Sequence, residues 1–282
     1  MSIQVAKYID SILATKGHPK PLIIGISGPQ GSGKSYMVSH LLDHYQQTHP
    51  GLVVAGFSVD DFYLSRAKQS EVTEAAKREG NSVLQGRGLP GTHDVPLLEE
   101  VFRKLKNQQP VSIPKYDKSA FSGAGDREPE DKWQKFDKPV DLVIMEGWFN
   151  GYRAMEDGMF STAYFGNWPT SIVQKHKLYH LQEVNKQLAK FHPVWDAFDY
   201  FVFIDTDSTD SVYDWRQEQE DDLIARTGSG MTNGQVKAFV DRYMPMYVLY
   251  YWRLCRGGTL TRGKNLRVKI NKKREVLGIE VV

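Results

Sequence analysis

The chain has 282 residues, a length that allows one large domain or two small ones. Apolar residues make up 40% and charged residues 25%, which argues against a disordered chain. The 36 Lys and Arg residues and 34 Asp and Glu residues leave a net charge of +2, which excludes a strongly basic nucleic-acid binder by bulk charge. The single cysteine, Cys255, excludes an internal disulfide. No apolar run approaches the ~18 residues of a membrane-spanning helix.

Strand-like and helix-like segments alternate along the chain, which predicts an α/β fold with a mostly parallel sheet. The apolar, β-branched runs that predict buried strands are 22–27, 52–58, 140–145 and 201–205. Helical spacing predicts an N-terminal helix and further helices over 34–45, 95–106, 208–226 and 233–252, the last kinked by Pro245. The basic tail predicts a hairpin turning at Asn271 and Lys272, with a solvated face. The segment 115–138 is interpreted as a functional or disordered loop.

Residues 28–35 follow the pattern G-x-x-x-x-G-K-S between a predicted strand and a predicted helix, which indicates a phosphate-binding P-loop. Glycines let backbone N–H groups turn toward phosphate oxygens, and the helix N-terminus adds its positive end. Lys34 would contact the β and γ phosphates, and Ser35 would bind Mg²⁺. The predicted nucleotide-binding residues are Gly28, Pro29, Gln30, Gly31, Ser32, Gly33, Lys34, Ser35 and Tyr36.

Glu146 follows the buried run 140–145 as a single carboxylate. A carboxylate at the carboxyl end of a parallel strand beside a P-loop would face Mg²⁺. The chain has neither a guanine-reading N-K-x-D motif nor the paired Asp-Glu of motor ATPases at this strand end. The pattern therefore favours a transferase of the nucleoside-kinase type over GTPases and ATP-driven machines.

The segment after the second predicted strand carries Asp60 and Asp61. A carboxylate here can orient an attacking hydroxyl and take its proton. Of two adjacent side chains, one should point into the site and the other away, and the sequence leaves open which. Arg216 is a candidate lid arginine that would stabilise charge on the transferring phosphoryl group, the alternative being an i, i+4 pair with Glu220.

Two further loops can hold an anion. The loop 85–94 carries Arg87 among glycines, and a guanidinium can grip a carboxylate or phosphate through two hydrogen bonds. The loop 114–119 adds ammonium groups and a phenol. Ordinary surface charge is the alternative interpretation of both loops.

Taken together, these motifs resemble the glycerate-kinase type of P-loop kinase, which groups with uridine kinase, phosphoribulokinase and pantothenate kinase. The motifs that carry the resemblance are G-P-Q-G-S-G-K-S, D-D-F-Y-L, G-R-G-L-P-G-T-H-D, P-K-Y-D-K-S, E-G-W-F and F-V-D-R-Y-M-P. They span most of the chain beyond residue 20. Plant members are targeted to plastids. Because the P-loop of this chain lies too near its start for a transit peptide, we expect the cytoplasm, with a distribution over nucleus and cytoplasm as the alternative.

The resemblance implies ATP and Mg²⁺, a three-layer α/β/α fold with a five-strand parallel core, and a mobile lid. No linker is evident, so we expect one kinase domain over 1–282, with an N-terminal helix in 1–20, an acceptor-binding insertion at 84–138 and the lid at 208–232. The resemblance places the base at Asp60, with Lys34 and Arg216 as the other catalytic residues. The candidate acceptor-binding residues are Asp61, Tyr63, Arg87, His93, Lys115, Tyr116 and Arg127.

The leading hypothesis is a kinase that transfers the γ-phosphoryl group of MgATP to a hydroxyl of a small anionic metabolite, with D-glycerate as the first candidate. The alternative is an ATP-binding regulatory protein whose nucleotide-dependent closure controls a protein partner. An RNA or polynucleotide kinase is disfavoured by the net charge of +2. We expect no nucleic-acid or membrane partner, and a monomer is slightly favoured.

Overall fold

The computed structural model describes residues 1–282 and contains ten strands. They are β1 (Leu22–Ser27), β2 (Val54–Ser58), β3 (Val111–Ile113), β4 (Tyr116–Asp117), β5 (Asp126–Arg127), β6 (Gln134–Phe136), β7 (Leu142–Gly147), β8 (Tyr200–Thr206), β9 (Asn265–Ile270) and β10 (Val276–Val281). The α-helices are α1 (Ser2–Leu13), α2 (Lys34–Thr48), α3 (Arg66–Glu79), α4 (Val95–Lys106), α5 (Asp157–Tyr164), α6 (Leu178–Ala189), α7 (His192–Trp195), α8 (Ser211–Thr227), α9 (Asn233–Asp241), α10 (Met244–Met246) and α11 (Trp252–Gly257). None of them combines the length and the apolar character needed to cross a membrane.

The main sheet has six strands in the order β10-β9-β8-β1-β7-β2. All neighbouring pairs are parallel except β9 and β10, which confirms the predicted α/β class and the five-strand parallel core. Every residue of β1 and β7 is buried, as apolar strands in the centre of a covered sheet must be. The register aligns Ser27 of β1 with Gly147 of β7, and Ser58 of β2 with Glu146 of β7. The carboxyl ends of these three strands therefore meet at one edge.

Helices cover both faces of this sheet. A Cβ atom at Gly56 of β2 would collide with Leu42 of α2, and one at Gly25 of β1 would collide with Phe198 just after α7. Gly56 is in register with Ile144 and Gly25 with Met145, so the two glycines face opposite sides. The fold is therefore a three-layer α/β/α arrangement.

The predicted helix over 233–252 is divided in the structure. It consists of α9, α10, a π-helical turn at Tyr247–Tyr251 and α11. Pro245 explains the break, because proline cannot donate the backbone hydrogen bond that would continue α9. The aromatic stripe of this region is buried as expected, with Tyr243, Tyr247 and Tyr251 each less than 5% exposed.

Four of the helices, namely α3, α5, α6 and α7, were not predicted from the sequence. The segment 115–138 is not featureless, because β4 pairs with β5, β6 pairs with β3, and Glu130–Lys132 form a 3₁₀ turn. The tail forms the predicted hairpin of β9 and β10. The N-terminal helix α1 buries Val5, Ile9 and Ile12 against the body, and its first residues reach the same edge of the sheet as the phosphate loop.

Candidate active site

The phosphate loop joins the end of β1 to the start of α2. Gly31 and Gly33 have φ angles of 79° and 95°, a left-handed conformation that glycine adopts without strain. A Cβ atom at Gly31 would also lie 2.4 Å from the Cβ of Trp215. The loop and the start of α2 border a cavity of about 530 Å³. Its lining residues are Met1, Ser2, Gly31, Ser32, Gly33, Lys34, Ser35, Tyr36, Gln219 and Arg274.

Three charged or polar side chains converge where the phosphates of a nucleotide would lie. Lys34 is buried, and its Nζ donates to the Pro29 carbonyl at 3.0 Å. Burial lowers the pKa of Lys34, against the opposing pull of the Glu146 and Asp60 carboxylates. The Ser35 hydroxyl donates to Glu146 Oε1 at 3.0 Å. A hydroxyl beside a carboxylate is an oxygen donor pair of the kind that Mg²⁺ accepts together with phosphate oxygens, so Ser35 and Glu146 fit the predicted metal site.

Gln30 of the loop and the ends of β1 and β7 are held by residues from elsewhere in the fold. The Gln30 amide donates to the Tyr247 hydroxyl at 2.9 Å, which ties the loop to the π-helical turn. The buried Asn150 side chain donates to the carbonyls of Ile26 and Met145 at 3.2 and 3.1 Å. It thereby joins the ends of β1 and β7 directly beneath the loop. A π-turn of this kind often marks a functional site.

Arg274, in the turn between β9 and β10, is a residue that the sequence interpretation missed. Its Nε donates to the Gly31 carbonyl at 2.7 Å, and it pairs with Glu218 of α8 at 2.7 Å. Its guanidinium also lies 5.2 Å from the ring centre of Trp215. The basic tail was interpreted as a solvated face, and no local pattern distinguishes this arginine from its neighbours. It lines the cavity and connects the phosphate loop to the predicted lid helix.

The adjacent carboxylates Asp60 and Asp61 lie in a 3₁₀ turn directly after β2, and their environments differ. Asp61 accepts the Ser58 amide at 2.8 Å and caps the turn. Burial raises the pKa of Asp61 to about 6. Asp60 instead pairs with Lys118, with Nζ 2.5 Å from Oδ2. Burial alone would raise the pKa of Asp60, but the Lys118 ammonium outweighs it and holds that pKa below its usual value. Asp60 therefore faces the site as an ionised carboxylate, and Asp61 is engaged with its own backbone.

Aromatic side chains surround Asp60. The Tyr63 ring lies 4.5 Å from the His93 ring and 5.2 Å from the Tyr116 ring, centre to centre. Burial lowers the pKa of His93 to about 4, so the imidazole is neutral near pH 7. Both ring nitrogens of His93, the Tyr116 hydroxyl and Asp60 Oδ1 are buried without a hydrogen-bond partner. We call Asp60, Tyr63, His93, Tyr116 and Lys118 the acceptor cluster.

Arg87 places its guanidinium beside the acceptor cluster, 5.6 Å from the ring centre of Tyr116, and engages backbone carbonyls. It donates to the carbonyls of Lys118, Gly123 and Ala124, the Lys118 contact at 3.3 Å and the Gly123 contact at 2.9 Å. Its own carbonyl accepts a hydrogen bond from Arg242 at 2.6 Å. In this structure Arg87 fixes the backbone of the loop that presents Lys118.

Arg127 and Lys115 also differ in their surroundings. Arg127 pairs with Asp94 at 3.1 Å and donates to the Tyr63 carbonyl at 2.8 Å, so it braces the acceptor cluster from behind. Lys115 is exposed. Direct contacts of Asp61, Arg87, Lys115 and Arg127 with an acceptor stay predictions.

Arg216 forms the i, i+4 pair that was the alternative interpretation. It lies 2.6 Å from Glu220, whose side chain is 2% exposed and also accepts the Met231 amide at 2.6 Å. Its guanidinium lies 5.3 Å from the ring centre of Phe239. In this structure Arg216 links α8 to α9 and does not line the cavity, and its action on a phosphoryl group stays a prediction.

A glycine-rich loop, a buried lysine and a serine–carboxylate pair at the carboxyl edge of a parallel sheet define a P-loop kinase. The chain belongs to the Phosphoribulokinase / Uridine kinase family, which residues 23–156 match. It is 39% identical over 281 residues to the probable ATP-dependent kinase TDA10 of Saccharomyces cerevisiae, covering 96% of this chain and 91% of that one. It is 34% identical over 235 residues to the chloroplastic D-glycerate 3-kinase of Arabidopsis thaliana, covering 82% of this chain and 48% of that one.

A solved structure extends the similarity to the whole fold. The D-glycerate 3-kinase of Cryptococcus neoformans superposes with a TM-score of 0.88 at 36% identity, covering 100% of this chain and 99% of that one. The chain is thus an ATP-dependent phosphotransferase of this kinase family, as the sequence motifs predicted.

Proposed function

We propose that the protein transfers the γ-phosphoryl group of ATP to a hydroxyl of a small anionic metabolite, with D-glycerate as the first candidate. The observation that carries the proposal is the placement of Asp60. It lies close enough to the phosphate-binding Lys34 for their charges to interact, and it opens onto a cluster with unpartnered polar atoms. The names of two relatives, both D-glycerate 3-kinases, support the choice of acceptor.

The residues divide the chemistry between them. Lys34 and the amides of the phosphate loop bind and orient the β and γ phosphates. Ser35 and Glu146 would hold Mg²⁺, which supplies positive charge to the phosphate oxygens when it is bound. Asp60 orients the acceptor hydroxyl and takes its proton as the oxygen attacks the γ phosphorus. His93 and Tyr116 offer hydrogen-bonding atoms to the other oxygens of the acceptor.

The test is ADP release by the purified protein with Mg²⁺ and ATP. D-glycerate is compared with a panel of other hydroxy acids, nucleosides and sugars. Release that depends on D-glycerate and is lost in Lys34→Ala would support the proposal. If the protein binds ATP but no hydroxy acid stimulates ADP release, the proposed acceptor class is wrong. Stimulation by a neutral compound of the panel instead would show that the protein is a kinase with a neutral acceptor.

A further inference from the structure

The base of the proposed reaction is covered by a side chain that can move. Lys118 Nζ lies 2.5 Å from Asp60 Oδ2, within the acceptor cluster. The side chain of Lys118 is 57% exposed, whereas that of Asp60 is 20% exposed. An ammonium group on a flexible four-carbon stem can leave such a partner without disturbing the backbone. The ion pair therefore joins a mostly buried carboxylate to a cation whose side chain is largely exposed to solvent.

The backbone that carries Lys118 is held in place independently of that ion pair. Arg87 grips the Lys118 carbonyl and two further carbonyls across the loop. Phe121 and Ser122 turn the loop with positive φ angles of 52° and 55°. Because these contacts do not involve the ammonium, the side chain can change partner while the loop keeps its shape.

The charges near Lys118 indicate what it would pair with. Asp60 is the only residue with which Lys118 forms an ion pair in the structure. Its neighbour Lys34 would be drawn to the phosphates of ATP, which removes one cation from the surroundings of Asp60. The unpartnered atoms of His93 and Tyr116 can bond hydroxyl groups, but neither residue offers a positive charge to an acid. Within the acceptor cluster, Lys118 is the group that can bind a carboxylate.

We propose that Lys118 is the anion-binding residue of the acceptor site and that the acceptor's acidic group draws it away from Asp60. This inference rests on the proposed kinase function and names the residue that selects an acid, such as D-glycerate, as its acceptor. Asp60, once uncovered, takes the proton of the acceptor hydroxyl. The new bond joins that oxygen to the γ phosphorus, the bond from phosphorus to the bridging oxygen breaks, and ADP leaves with the electron pair.

The arrangement also limits waste of ATP. A water molecule carries no negative charge and cannot compete for the Lys118 ammonium. While no acid is bound, Asp60 stays paired and is a poor base for activating water. Acceptor binding and base exposure are thereby the same event.

The experiment compares Lys118→Met, Lys118→Arg and a matched control, Lys132→Met. Lys132 belongs to the same segment and forms only an exposed pair with Glu128 at 3.1 Å. Each variant is assayed with D-glycerate, with glycerol as its neutral counterpart, and with no acceptor. Lys118→Met should lower kcat/KM for D-glycerate about 10- to 100-fold, mainly through KM, because a charge-assisted bond to the acceptor is lost. Turnover of glycerol should rise, because glycerol cannot draw Lys118 away in the wild type but meets an uncovered Asp60 in the variant.

Lys118→Met should also hydrolyse ATP faster than the wild type when no acceptor is present. Lys118→Arg should keep most of the preference for the acid, and Lys132→Met should match the wild type throughout. An equal loss for acid and glycerol, or unchanged hydrolysis without acceptor, would overturn the proposal. If the wild type uses no acid, the acceptor class fails, and hydrolysis by Lys118→Met still decides whether Lys118 covers the base.

Discussion

The phosphate side and the acceptor side of this active site are built in different ways. The phosphate side rests on one continuous motif, residues 28–35, whose main-chain geometry follows from its glycines. The acceptor cluster gathers side chains from three separate segments, at 60–63, 93 and 116–118. A continuous motif of this kind performs the same task, phosphate binding, in every protein that contains it. A dispersed cluster can change one residue at a time, which suits the part of the site that selects the acceptor.

The largest expected effect is the loss of phosphoryl transfer in a variant of Asp60 that still binds ATP. Asp60→Asn should lower kcat about 10²- to 10⁴-fold, because the base is lost. Its affinity for ATP, measured by calorimetry, should stay close to that of the wild type. Lys34→Ala should lose both transfer and ATP affinity. Full turnover by Asp60→Asn would show that the base lies elsewhere in the site.

Arg274 tests whether the phosphate side is as self-contained as its motif suggests. Arg274→Ala removes a hydrogen bond to the Gly31 carbonyl and the link to Glu218. We expect the KM for ATP to rise about tenfold, the cost of one charge-assisted bond. Arg262→Ala, an exposed arginine before the same hairpin, is the control. Equal KM values for the two variants would mean that the motif needs no support from the tail.

Two glycines with nearly the same φ angle allow a test of how much the close packing of Gly31 against Trp215 contributes to stability. Gly31 and Gly17 have φ angles of 79° and 80°, but only Gly31 has a neighbour within reach of an added Cβ. Gly31→Ala should therefore cost about 1–3 kcal/mol more than Gly17→Ala in the free energy of unfolding. Urea unfolding measures the difference. Similar values would mean that Trp215 moves aside freely.

The smallest expected effect is the pH dependence of stability caused by Asp61, in the 3₁₀ turn after β2. Burial raises the pKa of Asp61 to about 6 in the folded protein, above its usual value of 3.8. The fold therefore favours the protonated carboxyl, and the wild type loses stability as pH rises from about 4 through 6. Asp61→Asn has no carboxyl to ionise and lacks this loss. The difference in free energy of unfolding between Asp61→Asn and the wild type should therefore shift by about 1–2 kcal/mol in favour of the variant from pH 4 to pH 8. Urea unfolding at both pH values checks the sign, and a constant difference would contradict it.

The parts of the fold that the sequence predicts are those whose signal is local. Residues 22–27 are buried at every position, and the predicted strand has the same bounds as β1. The apolar stripe over 95–106 predicts α4 with the bounds it has in the structure, where Asp94 caps its first turn. By contrast, α3 buries only Gln69 and Ala76, so no apolar stripe reveals it.

The candidate site follows the same rule. The phosphate loop is recognisable because its chemistry depends on main-chain geometry within eight consecutive residues. The contact of Arg274 with Gly31 joins residues 243 positions apart, and no local pattern encodes it. The partners of Arg87 lie 31 to 37 residues away, so its role in shaping a loop could not be read from the glycines around it.

The strand order has a consequence for how the chain is made. β1 lies between β7 and β8, so the strand that leads into the phosphate loop has no neighbour in the sheet until Leu142 has been synthesised. At about 5–20 residues per second, the ribosome leaves this apolar strand unpaired for about 6 to 24 seconds. During that time Leu22–Ser27 is an exposed edge that can pair with another nascent chain. The first strand of the sheet to be made thus waits longest for a neighbour, and production of the protein will depend on what shields that strand in the meantime.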